Sequence, residues 1–253
     1  MKFLIQKING RIVHDFSFVL LESIRYHKWL YGKSSIMYRF LNTKHDNTKF
    51  EFKFIHRNYT PVGSVEFVMA FIKNFYNKTP LPLNVPECLF RYAGRNIING
   101  TEKNVIGLKF IKSNDGIKVK KENGDDLTGI YDGSTDTIPS GNYQISDNVE
   151  IISEYRCFVF QNKLEGIHNY SGDFTIFPDV NTINAMIKTF SKSSPIAYTL
   201  DIGVNNNGTF VIEVHDFFSC GLYGFARHDI YPKMLYRWFR NYITNTKYLE
   251  IWS

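Results

Sequence analysis

The sequence predicts an α+β fold on three observations: many short apolar runs of strand length, a few longer stretches with helical spacing, and no regular βαβ alternation between them. A chain of 253 residues hides roughly 70% of its unfolded surface when it folds, so it needs no covalent staples. Hydrophobic content of 43% and aromatic content of 16% exclude a disordered or collagen-like chain.

Residues 2–8, 36–41 and 50–55 are short apolar runs alternating with charges, the last with strict period two, and predict strands. A helix starting near Asp15 fills the gap between the first two. Pro61-Val62-Gly63-Ser64 reads as punctuation, and Ser64 as the N-cap of a helix with Val65, Val68, Met69, Ile72, Phe75 and Tyr76 on one face. Pro80, Pro82 and Pro86 make a stiff crossing and the best internal boundary. From residue 105 the pattern turns strand-rich. Strands are expected at 105–112, 149–152, 155–160 and 164–170, with a polar, Gly/Asp-rich excursion at 116–133. Asp179 caps a helix carrying Val180, Ile183, Met186, Ile187 and Phe190. Residues 197–204 and 209–214 form a hairpin across Asn205-Asn206-Asn207-Gly208, where Asn-Gly supplies the positive φ of a tight turn. Asp229 is expected to open a last helix with Ile230, Met234, Leu235, Trp238, Phe239 and Tyr242.

Charge is unevenly spread. The net +6 arises from residues 1–60, which hold 11 basic and 4 acidic residues, while residues 61–253 hold 19 and 20. The first part therefore suggests an anionic partner, although abundant Lys, Asn, Ile, Phe and Tyr also look like an AT-biased genome. Cys88, Cys157 and Cys220 are odd in number, with no C-x-x-C spacing, and read as reduced thiols. The opening run Phe3-Leu4-Ile5 is too short for a signal-peptide core, and no segment has 18 uncharged apolar residues. The expected setting is cytoplasmic, with no membrane partner. No Walker-type loop, G-x-G-x-x-G or Ser/His/Asp ordering supports a P-loop, Rossmann or hydrolase reading.

Three pieces carry chemistry. Asp201 stands mid-strand in the predicted hairpin, and Glu213 and His215, two apart on the partner strand, project from one face close to its register. Two carboxylates and an imidazole repel or neutralise one another in apolar surroundings unless a divalent cation joins them. The other reading is an outward polar row on an amphipathic hairpin. Lys112 ends an apolar strand before a flexible loop that holds Lys118, where an ammonium can meet a phosphate; an ordinary strand-end lysine is the alternative. In Ser153-Glu154-Tyr155-Arg156, Glu154 and Arg156 share a face and either serve a site or pair with each other.

In order, these pieces resemble the C-terminal half of the ATP-grasp ligases, which join a carboxylate to an amine through an acyl phosphate. They are most similar to a compact clade of bacterial, phage and large-virus proteins named for one arginine and two lysines. The resemblance runs through Pro61-Val62-Gly63-Ser64-Val65-Glu66-Phe67, Gly94-Arg95, Phe110-Ile111-Lys112, Ser153-Glu154-Tyr155-Arg156, Tyr198-Thr199-Leu200-Asp201-Ile202-Gly203-Val204, Glu213-Val214-His215-Asp216 and Gly221-Leu222-Tyr223-Gly224. It covers roughly residues 60–240 and admits a phage or viral origin. It implies a small N-terminal lobe (1–87) with central (88–150) and C-terminal (151–253) α+β lobes enclosing an ATP site. By the same resemblance Arg95, Lys112 and Lys118 contact ATP phosphates, the main chain at Glu150 and Ile151 reads adenine, and Glu154 holds the ribose. Arg156 faces the acyl phosphate as the catalytic residue. Asp201, Glu213 and His215 hold Mg²⁺, or Mn²⁺. The family usually has Asn where this chain has His215, so the site takes Mn²⁺ more readily, binds metal through the carboxylates alone, or is impaired. The implied substrates are a carboxylate and an amine, an acidic peptide or protein among them. Two competing functions stand beside this one: a nucleic-acid-binding protein using the basic region with Tyr26, Trp29, Tyr31, Tyr38 and Phe40, and an ATP-binding scaffold without turnover.

Overall fold

A computed structural model describes residues 1–32, 35–44, 50–117 and 127–244. The chain forms two compact units. One comprises residues 1–79, 195–198 and 217–253, the other residues 80–194 and 199–216.

In the first unit β1 (Lys2–Ile8) lies between β2 (Met37–Thr43) and β3 (Thr60–Val62) in a parallel sheet. Phe3, Leu4 and Ile5 are fully buried, the continuous apolar run of a central parallel strand covered on both faces. Helix α1 (Asp15–Tyr31) joins β1 to β2, and Gly32 ends it in the left-handed conformation. Helix α2 (Val65–Tyr76) follows β3, and the Ser64 hydroxyl accepts from the Phe67 amide as expected of its N-cap.

Three expectations fail in this unit. Residues 50–55 form a turn, closed by the Ile55 amide donating to the Phe52 carbonyl, with Phe54 at φ 60° and exposed. Their period-two aromatics do not join a ladder. Phe50 and Phe52 pack edge-on or tilted against Phe67, Phe71 and Phe75 of α2, and Phe71 in turn meets Phe239. Conversely, the Pro61 stretch read as punctuation is itself the edge strand β3; an edge position tolerates a residue with no amide donor. Gly63 is required by a close approach, since a Cβ there would lie 2.5 Å from Gln6 Oε1. That same oxygen accepts from the Ser64 amide.

The last helix, α4 (Tyr231–Thr244), starts two residues beyond the expected cap. The Asp229 carboxylate is bound instead by the Arg227 guanidinium at 2.8 and 3.0 Å.

The second unit holds two four-stranded sheets. In the first, β4 (Ile97–Thr101), β7 (Asn142–Ser146), β5 (Leu108–Ser113) and β6 (Gly129–Asp132) are neighbours in that order and pair antiparallel. Strands β4, β6 and β7 were not expected; all are short, five residues or fewer. Ile111, Tyr131, Tyr143 and Ile145 form the core on one face. Alternation turns Leu108, Phe110 and Lys112 to the other, beside Gln144, Ser146 and Ile130 across the ladders.

The second sheet has the order β11-β10-β8-β9, with β8 (Ser153–Phe160), β9 (Lys163–Gly172), β10 (Ala197–Asn205) and β11 (Gly208–Asp216). Residues 149–152 do not form the expected strand, and Ile152 lies in a bend. Among their links are the Ile152 amide to the Val204 carbonyl, the Asp173 amide to the Ile152 carbonyl and Asn205 Nδ2 to the Glu150 carbonyl. The β10–β11 loop is two residues, with Gly208 at φ 118°, tighter than the four-residue turn expected. Helix α3 (Val180–Phe190) begins at Asp179, whose carboxylate accepts from the Asn181 and Thr182 amides. No helix among the described residues is long and apolar enough to cross a membrane.

Candidate functional site

Five of the residues singled out above converge in the second unit. Lys112 comes from the end of β5, Arg156 from β8, Asp201 from β10, and Glu213 and His215 from one face of β11. Asp201 is 1% exposed and Arg156 8%. The guanidinium grips the carboxylate in a two-point fork, Nε to Oδ1 at 2.8 Å and a terminal nitrogen to Oδ2 at 2.7 Å. That geometry gives both strength and orientation. Of the two readings of the 154–156 pattern, local pairing of Glu154 with Arg156 is therefore not what forms.

Glu213 is held from two sides, by the Lys112 ammonium and by His215 Nε2. His215 Nε2 also lies 3.9 Å from Asp201 Oδ2. The ligand atoms of Asp201, Glu213 and His215 all fall within 4.8 Å of one another. One ion with bonds of roughly 2.0–2.2 Å spans donors up to about 4.4 Å apart, so a small side-chain adjustment suffices to share it. The donor set, two carboxylates and an imidazole, fits a divalent cation.

The electrostatics follow from packing. Burial pushes the Lys112 ammonium down to about 8; the Asp201 carboxylate opposes this and Arg156 adds to it. His215 is driven to about 4 by burial and by Lys112, against the pull of Asp201. Tyr170 rises well above its ordinary value, through burial first, then the Asp201 charge and its bond to Glu154.

Tyr170 was not anticipated. Its hydroxyl donates to Glu154 Oε2 at 2.8 Å, and the Arg156 guanidinium sits 5.7 Å from its ring centre. A bulge explains why period two did not reveal it: Glu154 pairs with Ser171 and Tyr155 with Asn169, leaving Tyr170 as the extra residue. The turn Gln161-Asn162, with φ of 51° and 60°, sets the register and was the available signal.

Arg95 stands apart from this cluster in its contacts. It donates to the carbonyls of Ala93 (3.0 Å), Val211 (3.0 Å) and Ile212 (3.1 Å), and more weakly to Ser146 Oγ (3.4 Å). Burial lowers its pKa. Four of its five donors are thus engaged, two of them on the stretch of β11 just before Glu213. Asn84 secures the same strand through its carbonyl, which accepts from the Val214 amide at 2.8 Å, while its side chain donates to the Ser113 carbonyl at 3.0 Å. Asn84 is a buried and Arg95 a half-buried polar fastener, and periodicity discloses neither.

Lys118 lies outside the described residues. Glu150 and Ile151 sit in the 149–152 segment, adjoining β8. His168 lies across the ladder from Arg156, with its ring against Phe158. His228 belongs to the first unit, where its Nδ1 is 3.0 Å from Ser23 Oγ.

The sequence profile of the ATP-grasp domain, R2K clade family 2, matches residues 92–232, more than half of the chain. The fold is similar to that of D-cycloserine synthetase DcsG, at 11% identity and TM-score 0.54, covering 93% of this chain and 99% of that one. It is also similar to a RimK-domain ATP-grasp protein from Sphaerobacter thermophilus, at 10% identity and TM-score 0.51, covering 96% and 100%. No curated protein sequence matches. With every residue of the Lys112–His215 cluster inside the matched span, the chain belongs to the ATP-grasp domain family, R2K clade family 2.

Proposed function

We propose that this protein is an ATP-dependent ligase that joins a carboxylate to an amine through an acyl phosphate, with Mg²⁺ or Mn²⁺ bound beside ATP. The observation that carries the reading is the meeting of Lys112, Arg156, Asp201, Glu213 and His215 in one partly buried cluster of an ATP-grasp chain.

A divalent ion held there would neutralise phosphate charge. Asp201 and Glu213, with His215, are the residues to hold it. Lys112 leaves Glu213 for the phosphates when ATP enters, and so offsets the charge of the transferring group. Glu154, oriented by Tyr170, takes the ribose hydroxyls. The main chain at Glu150 and Ile151 reads adenine, with Leu108, Phe110 and Ile130 as apolar flank on the Lys112 face. Arg156, fixed in direction by Asp201, steadies charge on the acyl phosphate. Arg95 chiefly fixes β11 and turns its remaining donor to phosphate, and Lys118 adds a further phosphate contact.

The carboxylate oxygen attacks the γ-phosphorus and ADP leaves. The amine then attacks the acyl carbon, inorganic phosphate leaves, and the amine proton passes to solvent. The basic first unit, 18 Lys and Arg against 7 Asp and Glu, supports an acidic peptide or protein as one substrate. The lobes 1–87, 88–150 and 151–253 and a cytoplasmic setting, where the three cysteines stay as thiols, complete the reading.

Calorimetry of ATP with Mg²⁺ or Mn²⁺, followed by phosphate release against a panel of carboxylates and amines, tests it. No nucleotide binding with either metal overturns the proposal. Binding without turnover on any pair reduces it to an ATP-binding scaffold. A second reading, a nucleic-acid partner for the basic unit, is favoured by exposed Trp29, Tyr31 and Tyr38 among Arg25, Lys28 and Arg39. Oligonucleotide binding that falls steeply with salt would support it.

A further inference from the structure

We propose that His215 makes this centre a nitrogen-bearing metal site that selects Mn²⁺ over Mg²⁺. The inference rests on the metal and ATP reading above and adds which ion the site prefers and which residue decides it.

Three observations carry it. First, His215 Nε2 is directed at the carboxylate pair, in contact with Glu213 and 3.9 Å from Asp201 Oδ2, so it is a donor of the same site. Second, it shares a strand face with Glu213 two residues away, a spacing that fixes both donors on one rigid ladder. Third, the Asp201 carboxylate already has a side-chain cation against it, the Arg156 guanidinium in a two-point fork. That compensation weakens the attraction a hard ion depends on. Mg²⁺ is held almost wholly by charge and oxygen donors, gives up its waters reluctantly and gains little from a neutral imidazole. Mn²⁺ accepts the same carboxylate and phosphate oxygens but also takes imidazole nitrogen, and lies above Mg²⁺ in affinity for mixed nitrogen and oxygen donors. With the electrostatic share reduced, the nitrogen bond becomes the discriminating one.

The test uses the full chain and a non-hydrolysable ATP analogue. Dissociation constants for Mn²⁺ and Mg²⁺ are measured by calorimetry in the presence of the analogue, and the Mn²⁺ complex is examined by pulsed electron paramagnetic resonance for coupling to imidazole nitrogen. Wild-type protein is expected to bind Mn²⁺ more tightly and to show the nitrogen coupling. His215→Asn should lose that coupling and lower the Mn²⁺/Mg²⁺ affinity ratio by about tenfold, the low end of what disturbing a metal site's ligand sphere costs. His215→Gln, of different length, guards against a folding defect peculiar to Asn, and both variants should melt as the wild type does without metal. Analogue and metal binding with no nitrogen coupling and an unchanged ratio would overturn this inference and leave the ligase reading intact. Failure of the wild type to bind the analogue with either metal would instead overturn the ligase reading itself.

Discussion

The unit built from residues 1–79, 195–198 and 217–253 carries 18 Lys and Arg against 7 Asp and Glu, net +11, yet its buried polar side chains among the described residues are Gln6, Ser17, Ser23, Thr43 and Thr60, none of them ionised. The other unit carries 12 against 17, net −5, and it is the one that takes Arg156 and Asp201 out of water. Net charge and buried charge therefore separate. Removing an ion from water costs several kcal/mol even after relaxation, so a fold concentrates that cost where a field is wanted and keeps its remaining charges solvated. The basic unit is a surface property, suited to attracting an anionic partner at long range. The acidic unit holds a few opposed charges at close quarters, where partners can be exchanged.

The largest effect is expected from breaking the buried pair. Asp201→Asn leaves the Arg156 guanidinium without its carboxylate at a position 8% exposed. It should abolish metal-dependent ATP binding and cost about 3–5 kcal/mol of stability, the range for unpairing one partner of a buried ion pair. Urea unfolding and calorimetry measure the two. A loss below about 1 kcal/mol would mean that the pair is as solvated as any on the surface, and the contrast between the units would fail.

Next comes Lys112→Met, which sharpens the contrast because its two effects have opposite sign. ATP loses a charged hydrogen-bonding partner, so its affinity should fall roughly 10- to 100-fold, the equivalent of about 1.5–3 kcal/mol. Glu213 loses its resident cation, so binding of Mn²⁺ in the absence of nucleotide should tighten. Tighter metal with weaker ATP identifies Lys112 as a cation that changes partners. Weakening of both would show instead that it only holds Glu213 in position.

Arg95→Lys follows. A lysine cannot reproduce a planar fork spread over the carbonyls of Ala93, Val211 and Ile212. A loss of about 1.5–3 kcal/mol in urea unfolding is expected, the range for hydrogen bonds to a charged group, with weaker metal binding because β11 carries Glu213 and His215. Unchanged stability with weakened ATP would make Arg95 a phosphate contact first and a fastener second.

The same division marks what the sequence discloses. The helices α1, α2 and α3, the strands β1, β8, β9, β10 and β11, and the residues that gather around Asp201 follow from periodicity, capping and the order of short motifs. In the helices burial on one face writes a period of 3.6 into the chain, whereas β1, β8 and β10 are buried on both faces and read as nearly continuous apolar runs. What stays hidden depends on contacts distant in sequence or on local exceptions to the period. Tyr170 is delivered by a bulge, β3 runs through a proline at a sheet edge, and Phe50 and Phe52 keep strand spacing while plugging a helix face. Arg95 and Asn84 act on main-chain carbonyls and amides, which carry no signature in side-chain pattern. His215 is visible as a residue; its turn toward Asp201 and Glu213 is visible only in three dimensions.

The smallest effect belongs to the first unit and completes the comparison. Arg25 and Glu22 form an ion pair one turn apart on α1, at 2.6 Å, with side chains 77% and 32% exposed. By distance it is as close as the Arg156–Asp201 contact, so distance alone would rank them equal. In water each charge keeps most of its hydration whether or not the pair forms, and two long side chains lose rotamer freedom to make it; pairs of this kind are worth roughly 0.2–1 kcal/mol and weaken with salt. Glu22→Ala should therefore shift unfolding by less than about 1 kcal/mol, less again in 0.5 M salt, and leave ATP binding unchanged. The same variant raises the positive charge of the unit by one, so if an acidic peptide or an oligonucleotide binds here, its affinity should rise slightly at low salt. An Asp201-sized loss from Glu22→Ala would show that solvation is not what distinguishes the two pairs, and the separation of net from buried charge would have to be abandoned.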